Sequence, residues 1–140
     1  MISIWTNHLS LGNRAIDSAH EHIISIINRV GDLIEARDGA ALIETLKLLE
    51  NSVCACFEVE AKIAYAIKVD FTQHNLAHQR LLDELRRIRN LSAEKNDMWS
   101  DREVEAFTIP WAKRFTQHIQ VEGEPLKVVL NTHFYDYKPD

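Results

Sequence analysis

Residues 40–67, AALIETLKLLENSVCACFEVEAKIAYAI, carry Leu42, Ile43, Leu46, Leu49, Val53, Phe57 and Ile63 on one face of a 3.6-residue period. The stretch predicts an amphipathic helix of about 28 residues, from about Ala40 to about Ile67. Three other segments follow the same period. Ile23, Ile24, Ile27, Val30, Leu33 and Ile34 outline a first helix, opened by a Ser18-x-x-Glu21 capping box and stopped near Asp38-Gly39. Leu76, Leu81, Leu82, Leu85, Ile88 and Leu91 outline a third, expected to end before Ser92 and to lead into a polar loop over 92–99. A second capping box, Ser100 to Glu103, opens a fourth helix with Val104, Phe107, Trp111, Phe115 and Ile119 inward. Pro110 lies inside it and predicts a kink or a break, because proline removes a helical hydrogen bond and crowds the carbonyl four residues back. Gly123 and Pro125 mark its end, and the aromatic tail from Leu126 to Asp140 is expected to pack back on the helices.

No period-2 strand of useful length competes, and four Gly and three Pro are too few for the turns of an all-β fold. The expected fold is all-α, an up-down-up-down four-helix bundle with an N-terminal arm and a short C-terminal tail. At 140 residues, one domain over 1–140 is expected. A composition of 46% hydrophobic and 26% charged residues excludes a disordered chain. The formal charge of -5, with scattered lysines and arginines, argues against a nucleic-acid partner. No stretch of ~18 apolar residues and no leader-like start occurs, so a cytoplasmic protein with no membrane partner is expected. Cys54 and Cys56 point ~200° apart on a helix, which forbids an unstrained disulfide and predicts free thiols.

The chemistry lies in the histidines. His74 and His78 are four residues apart, one above the other on a helical face that Leu81, Leu82 and Leu85 continue, so both imidazoles point to the core. Cys56 and Glu60 repeat that spacing on the second helix, among Val53, Phe57 and Ile63. Glutamate is almost never fully buried unless it is paired or binds metal. His20 on the first helix and His118 on the fourth complete a pattern in which every helix offers an inward ligand. Taken singly, each has a plain structural explanation; together they describe an imidazole and carboxylate set that suits iron, zinc or manganese. His8, His22 and His133 fall outside this register and read as surface or tail residues, and Trp5 and Trp111 as packing.

Trp5, Leu11-Gly12-Asn13, Ile16-Asp17, His20, Phe57, Glu60, His74-x-x-x-His78, Trp111, His118-Ile119 and Pro125-Leu126-Lys127 resemble, in order and approximate spacing over nearly the whole chain, the bacterial hemerythrin domain. That family holds non-heme di-iron in a four-helix bundle through five histidines and two bridging carboxylates, and binds dioxygen reversibly. The resemblance implies that His74, His78 and His118 hold one iron, that Glu60 bridges, and that His20 serves a second iron. Two positions depart from the pattern. Cys56 stands where the family has histidine, and Gly123 stands where it has the bridging aspartate, with Glu122 or Glu124 as the nearest replacements.

The expected metal ligands are therefore His20, Cys56, Glu60, His74, His78, His118 and Glu122, holding one or two non-heme irons per chain. The expected partner is dioxygen or another small diatomic ligand such as nitric oxide. The chain reads as a binding protein rather than an enzyme, since no acid–base pair is legible apart from the metal. Two rivals follow from the departures: a redox or oxygen sensor, or peroxide-reactive enzyme, using Cys56 as a soft thiolate ligand, and a metal-free bundle acting through partner contacts.

Overall fold

Asn13 opens the first long helix. Its side-chain oxygen accepts the Ile16 amide at 3.1 Å, and its own amide group donates to the Tyr137 carbonyl at 2.9 Å. In the computed structural model, which describes residues 2–95 and 101–140, α1 runs Arg14–Glu35. It starts ahead of the expected Ser18 box, because Asn13 already satisfies a free first-turn amide and is itself fully buried. Asp17, in that first turn, accepts the Leu11 amide at 2.9 Å, the Ser10 hydroxyl at 2.5 Å and the Tyr135 hydroxyl at 2.9 Å. One carboxylate thus ties the N-terminal arm and the C-terminal tail to the same helix end. Gly12, at φ +80°, makes the left-handed turn just before the cap, where a side chain would be strained.

The second helix, α2, spans Gly39–Ala66, α3 Thr72–Lys95, α4 Asp101–Val121 and α5 Glu124–Leu130. A single 3-10 turn, Asn7–Leu9, precedes them, and no strand occurs among the described residues. The α1–α2 and α2–α3 links share one device. Arg37 (φ 56°) and Lys68 (φ 60°) take left-handed conformations after the helix ends. The next amides, Asp38 and Val69, reach back to the Leu33 and Ala64 carbonyls at 3.1 and 3.0 Å, closing two Schellman caps without glycine.

Two helical expectations change. Ser92 does not lie beyond α3 but inside it and buried; its hydroxyl donates to the Ile88 carbonyl at 2.9 Å, which satisfies the polar group without ending the helix. Residues 96–100, with the Ser100 cap and much of the expected polar loop, lie outside the described residues, as does the side chain of Val104. In α4 the helix continues through Pro110. An interior proline costs about 3 kcal/mol. Burial of Trp111 and Phe115 returns roughly 1.5 to 3 kcal/mol each, so packing outweighs it. The Trp111 indole also donates to the Leu81 carbonyl at 2.8 Å. Phe107 and Leu76, expected inward, are exposed.

Each of the four long helices packs on two others, α1 on α2 and α4, and α3 on α2 and α4. The result is a helical bundle whose core runs from Ile16, Ile23 and Ile27 through Leu46, Val53 and Leu85 to Phe115 and Ile119. The tail forms α5, which seats Leu126 and Leu130 fully in that core. No helix among the described residues is long and apolar enough to cross a membrane.

Lys68 is exposed and contributes only its strained backbone to the cap. Replacing it by glycine removes a left-handed penalty of roughly 1–2 kcal/mol but raises the entropy of the unfolded chain. Lys68→Gly is expected to raise unfolding free energy by about 0.5–1 kcal/mol, measured by urea denaturation; a loss of stability would show that the cap is not formed as described.

Candidate metal centre

Glu60 lies on the buried stripe of α2 and has no exposed surface. A carboxylate there needs compensation, and imidazoles supply it from two other helices, α1 and α3. His20, on α1, is fully buried, and its Nε2 stands 2.7 Å from Glu60 Oε1 in hydrogen-bond geometry. His78 and His74, on α3, bring Nε2 to 2.7 and 3.4 Å of the other oxygen, Oε2. These last two approaches are close without hydrogen-bond geometry: Glu60 Oε2 and the Nε2 atoms of His74 and His78 have no hydrogen-bond partner, nor does Nε2 of His118 on α4. Glu60, His74, His78 and His118 each present a ligand atom, and the four atoms lie within 4.8 Å of one another.

Buried polar atoms left unpaired cost about 1–3 kcal/mol each, and native interiors seldom tolerate one, let alone four in one place. Three imidazole nitrogens and a carboxylate oxygen that converge in this way fit a divalent metal ion. The buried Glu/His cluster can hold one.

The rings are held by packing. Phe57 stacks on His78, with centroids 3.5 Å apart and planes 2° from parallel, and Phe71 stacks on His74 at 4.4 Å. His118 lies 4.7 Å from both His74 and His78, edge to face. Glu122, one turn beyond His118, approaches its Nδ1 at 3.3 Å, leaving Nε2 for the cluster. A carboxylate on the far nitrogen of a ligating imidazole fixes its tautomer and direction.

A second grouping shares Glu60. His20, Cys56 and Glu60 offer three ligand atoms within 4.8 Å. Cys56 is buried, and desolvation, followed by the charge of Glu60, pushes its thiol far above the ordinary cysteine range. Cys54 is a free, half-buried thiol on the neighbouring turn. Of the expected ligands, Glu122 is the one outside both groupings. Its carboxylate faces His118 Nδ1 and belongs to neither grouping, because the chain turns at the end of α4. Glu124 is exposed in the first turn of α5. At Gly123 a Cβ would collide with the Ile119 carbonyl oxygen and stand 3.0 Å from Leu11 Cδ2, so no side chain fits there.

His8 and His22 are exposed and His133 half-buried, away from the cluster, and Trp111 is core. Two contributors were missed from sequence. Phe71 is not among the residues singled out from sequence, although its place three residues before His74 at a helix start is a usable signal. The approach of Glu122 to His118 Nδ1 has its four-residue spacing as a signal. Outside, a cleft of about 400 Å³ between α3 and α4, bordered by Arg80, Glu84, Arg114, Gln117 and Glu122, reaches His118. Arg114 is held on one side of it by Glu84, at 2.8 Å.

Comparison with protein-family models, with curated proteins and with solved structures finds no match. The centre is therefore read from its own geometry.

Burial foremost, and then the neighbouring His78, lowers the His118 pKa from 6.5 to about 3; burial also lowers that of His78, against the pull of Glu60. Burial alone would raise the Glu60 carboxyl, but the charge of His20 and the contacts of His20, His74 and His78 hold it well below 4.5. All three shifts have one sign: the unfolded chain binds more protons than the native one. Stability of the metal-free protein is expected to fall as pH drops below 6.5 for the histidines, and further below 4.5 for Glu60. Each imidazole contributes a slope of up to about 1.4 kcal/mol per pH unit. Urea midpoints from pH 7 to pH 4 test this, and a flat profile would contradict the buried, neutral histidines.

Proposed function

We propose that this chain is a non-heme iron-binding bundle that takes dioxygen or a similar small diatomic ligand, in the manner of the hemerythrin-like proteins that its sequence resembles. The observation that carries the reading is the convergence of four buried ligand atoms that have no hydrogen-bond partner, on Glu60, His74, His78 and His118. The ring of helix contacts, α1 to α2 to α3 to α4 and back to α1, supports an up-down-up-down bundle.

The residues divide the work. His74, His78 and His118 would hold the ion through neutral Nε2 atoms, and Glu60 would supply the negative charge. Phe57 and Phe71 keep two of the rings from turning and shield the site from water. The α3–α4 cleft offers a small ligand a path to the His118 side. A ferrous ion held by these four residues would supply the affinity for a diatomic ligand.

Oxygen sensing through Cys56 is a second reading, resting on the grouping of His20, Cys56 and Glu60. It separates from the first by one variant: Cys56→Ser abolishes a redox response in the sensor and leaves ligand binding intact in the carrier.

The test is anaerobic loading of the metal-free protein with ferrous iron, followed by thermal unfolding. Ligand linkage gives roughly 2.7 kcal/mol of added stability at a free-metal concentration of 100 Kd. Glu60→Gln and His78→Ala are expected to lose most of that gain, and nitric oxide is expected to change the visible absorption of the loaded wild type only. Equal melting with and without ferrous iron would remove the proposal.

A further inference from the structure

The two halves of the centre differ in what their atoms are doing. In one half, Glu60 Oε2 and the Nε2 atoms of His74, His78 and His118 all lack hydrogen-bond partners and face each other. In the other, Glu60 Oε1 is already occupied by the His20 Nε2 hydrogen bond, at 2.7 Å, and the atom without a partner is the other ring nitrogen, His20 Nδ1. The two contacts at that same distance are therefore unlike: His20 to Oε1 has hydrogen-bond geometry, whereas His78 to Oε2 does not.

The His20 half is also short of ligands. Besides Glu60, it has only His20 and Cys56 among the described residues. A further carboxylate would have to come from the end of α4. There Glu122 is turned to His118 Nδ1, and a side chain at Gly123 would run into the Ile119 carbonyl and the Leu11 side chain. Leu11 is itself buried, held by the hydrogen bond that its backbone amide donates to the Asp17 carboxylate. The N-terminal arm thus packs apolar atoms against the turn from which a bridging carboxylate would have to come.

We infer that the bundle binds one metal ion per chain, through Glu60 Oε2, His74, His78 and His118, and that His20 is a positioning residue that holds Glu60 by its other oxygen while Cys56 stays off the metal. This rests on the metal-binding reading above and sharpens it: the centre is mononuclear, with a carboxylate steered by His20 and an imidazole steered by Glu122. Partners of this kind typically change metal affinity 10- to 100-fold when removed.

Cobalt(II) titration of the metal-free protein, without oxygen, tests the inference through stoichiometry and the visible spectrum. Saturation is expected at one cobalt per chain, with no thiolate-to-cobalt charge-transfer band. Cys56→Ala should give the same stoichiometry and spectrum. His20→Leu should still bind one cobalt, at least 10-fold more weakly and with shifted d–d bands, while His20→Gln, which keeps an N–H donor, should recover much of both. Circular dichroism checks that each variant is folded, and wild type and Cys56→Ala decide the matter if a His20 variant is not. Two cobalts per chain, or a charge-transfer band lost in Cys56→Ala, would overturn the inference and leave metal binding standing. No bound cobalt would overturn both.

Discussion

A fully buried carboxylate is the constraint around which this molecule is organised. Glu60 sits among apolar residues of α2, where an isolated negative charge would not survive. Its compensation comes from imidazoles on other helices, so the helices must be held in a definite register for the charge to be tolerated at all. The same arrangement leaves Oε2 and three ring nitrogens without partners, and that residue of unmet bonding is the site's capacity for a cation.

The bundle supplies this register through features far from Glu60. Asp17 binds the arm and the tail to the start of α1, and His20 lies one turn further along the same helix. Phe115, one turn before His118, is fully buried and meets His20 edge to face at 5.8 Å. Trp111 stacks on Phe115 and is pinned to the Leu81 carbonyl, which couples α4 to the helix that carries His74 and His78. Packing thus replaces covalent links in setting ligand positions to a fraction of an ångström, as a metal site demands.

Much of this was legible in the sequence, for identifiable reasons. The helices announce themselves because apolar residues recur at a period that only a helix turns into a stripe. His74 with His78, and Cys56 with Glu60, are readable as pairs because four residues return a side chain to the same face. Other features depend on contacts between distant segments. Asn13 wins the cap over Ser18 because Tyr137 completes its hydrogen bonds, and nothing local to residue 13 says so. Ser92 looked like a stop, yet it bonds back to Ile88 and the helix continues. Gly123 could be noticed as a missing carboxylate, but the reason that no side chain fits is the turn itself, which puts the Ile119 carbonyl oxygen where a Cβ would stand, with Leu11 from the opposite end of the chain closing in beside it. Glu122 illustrates the same limit: spacing places it near His118, and only the turn of α4 decides which ring nitrogen it meets.

The central claim is that Glu60, His74, His78 and His118 form one cation site and that the His20 side of Glu60 is closed by a hydrogen bond. A crystal structure of the protein grown with cobalt(II), with an anomalous difference map collected at the cobalt edge, tests it most directly. The account predicts one peak per chain, in contact with Glu60 Oε2 and the three Nε2 atoms, with His20 still bonded to Oε1. A second peak beside Cys56 and His20, or a single peak away from this cluster, would contradict it.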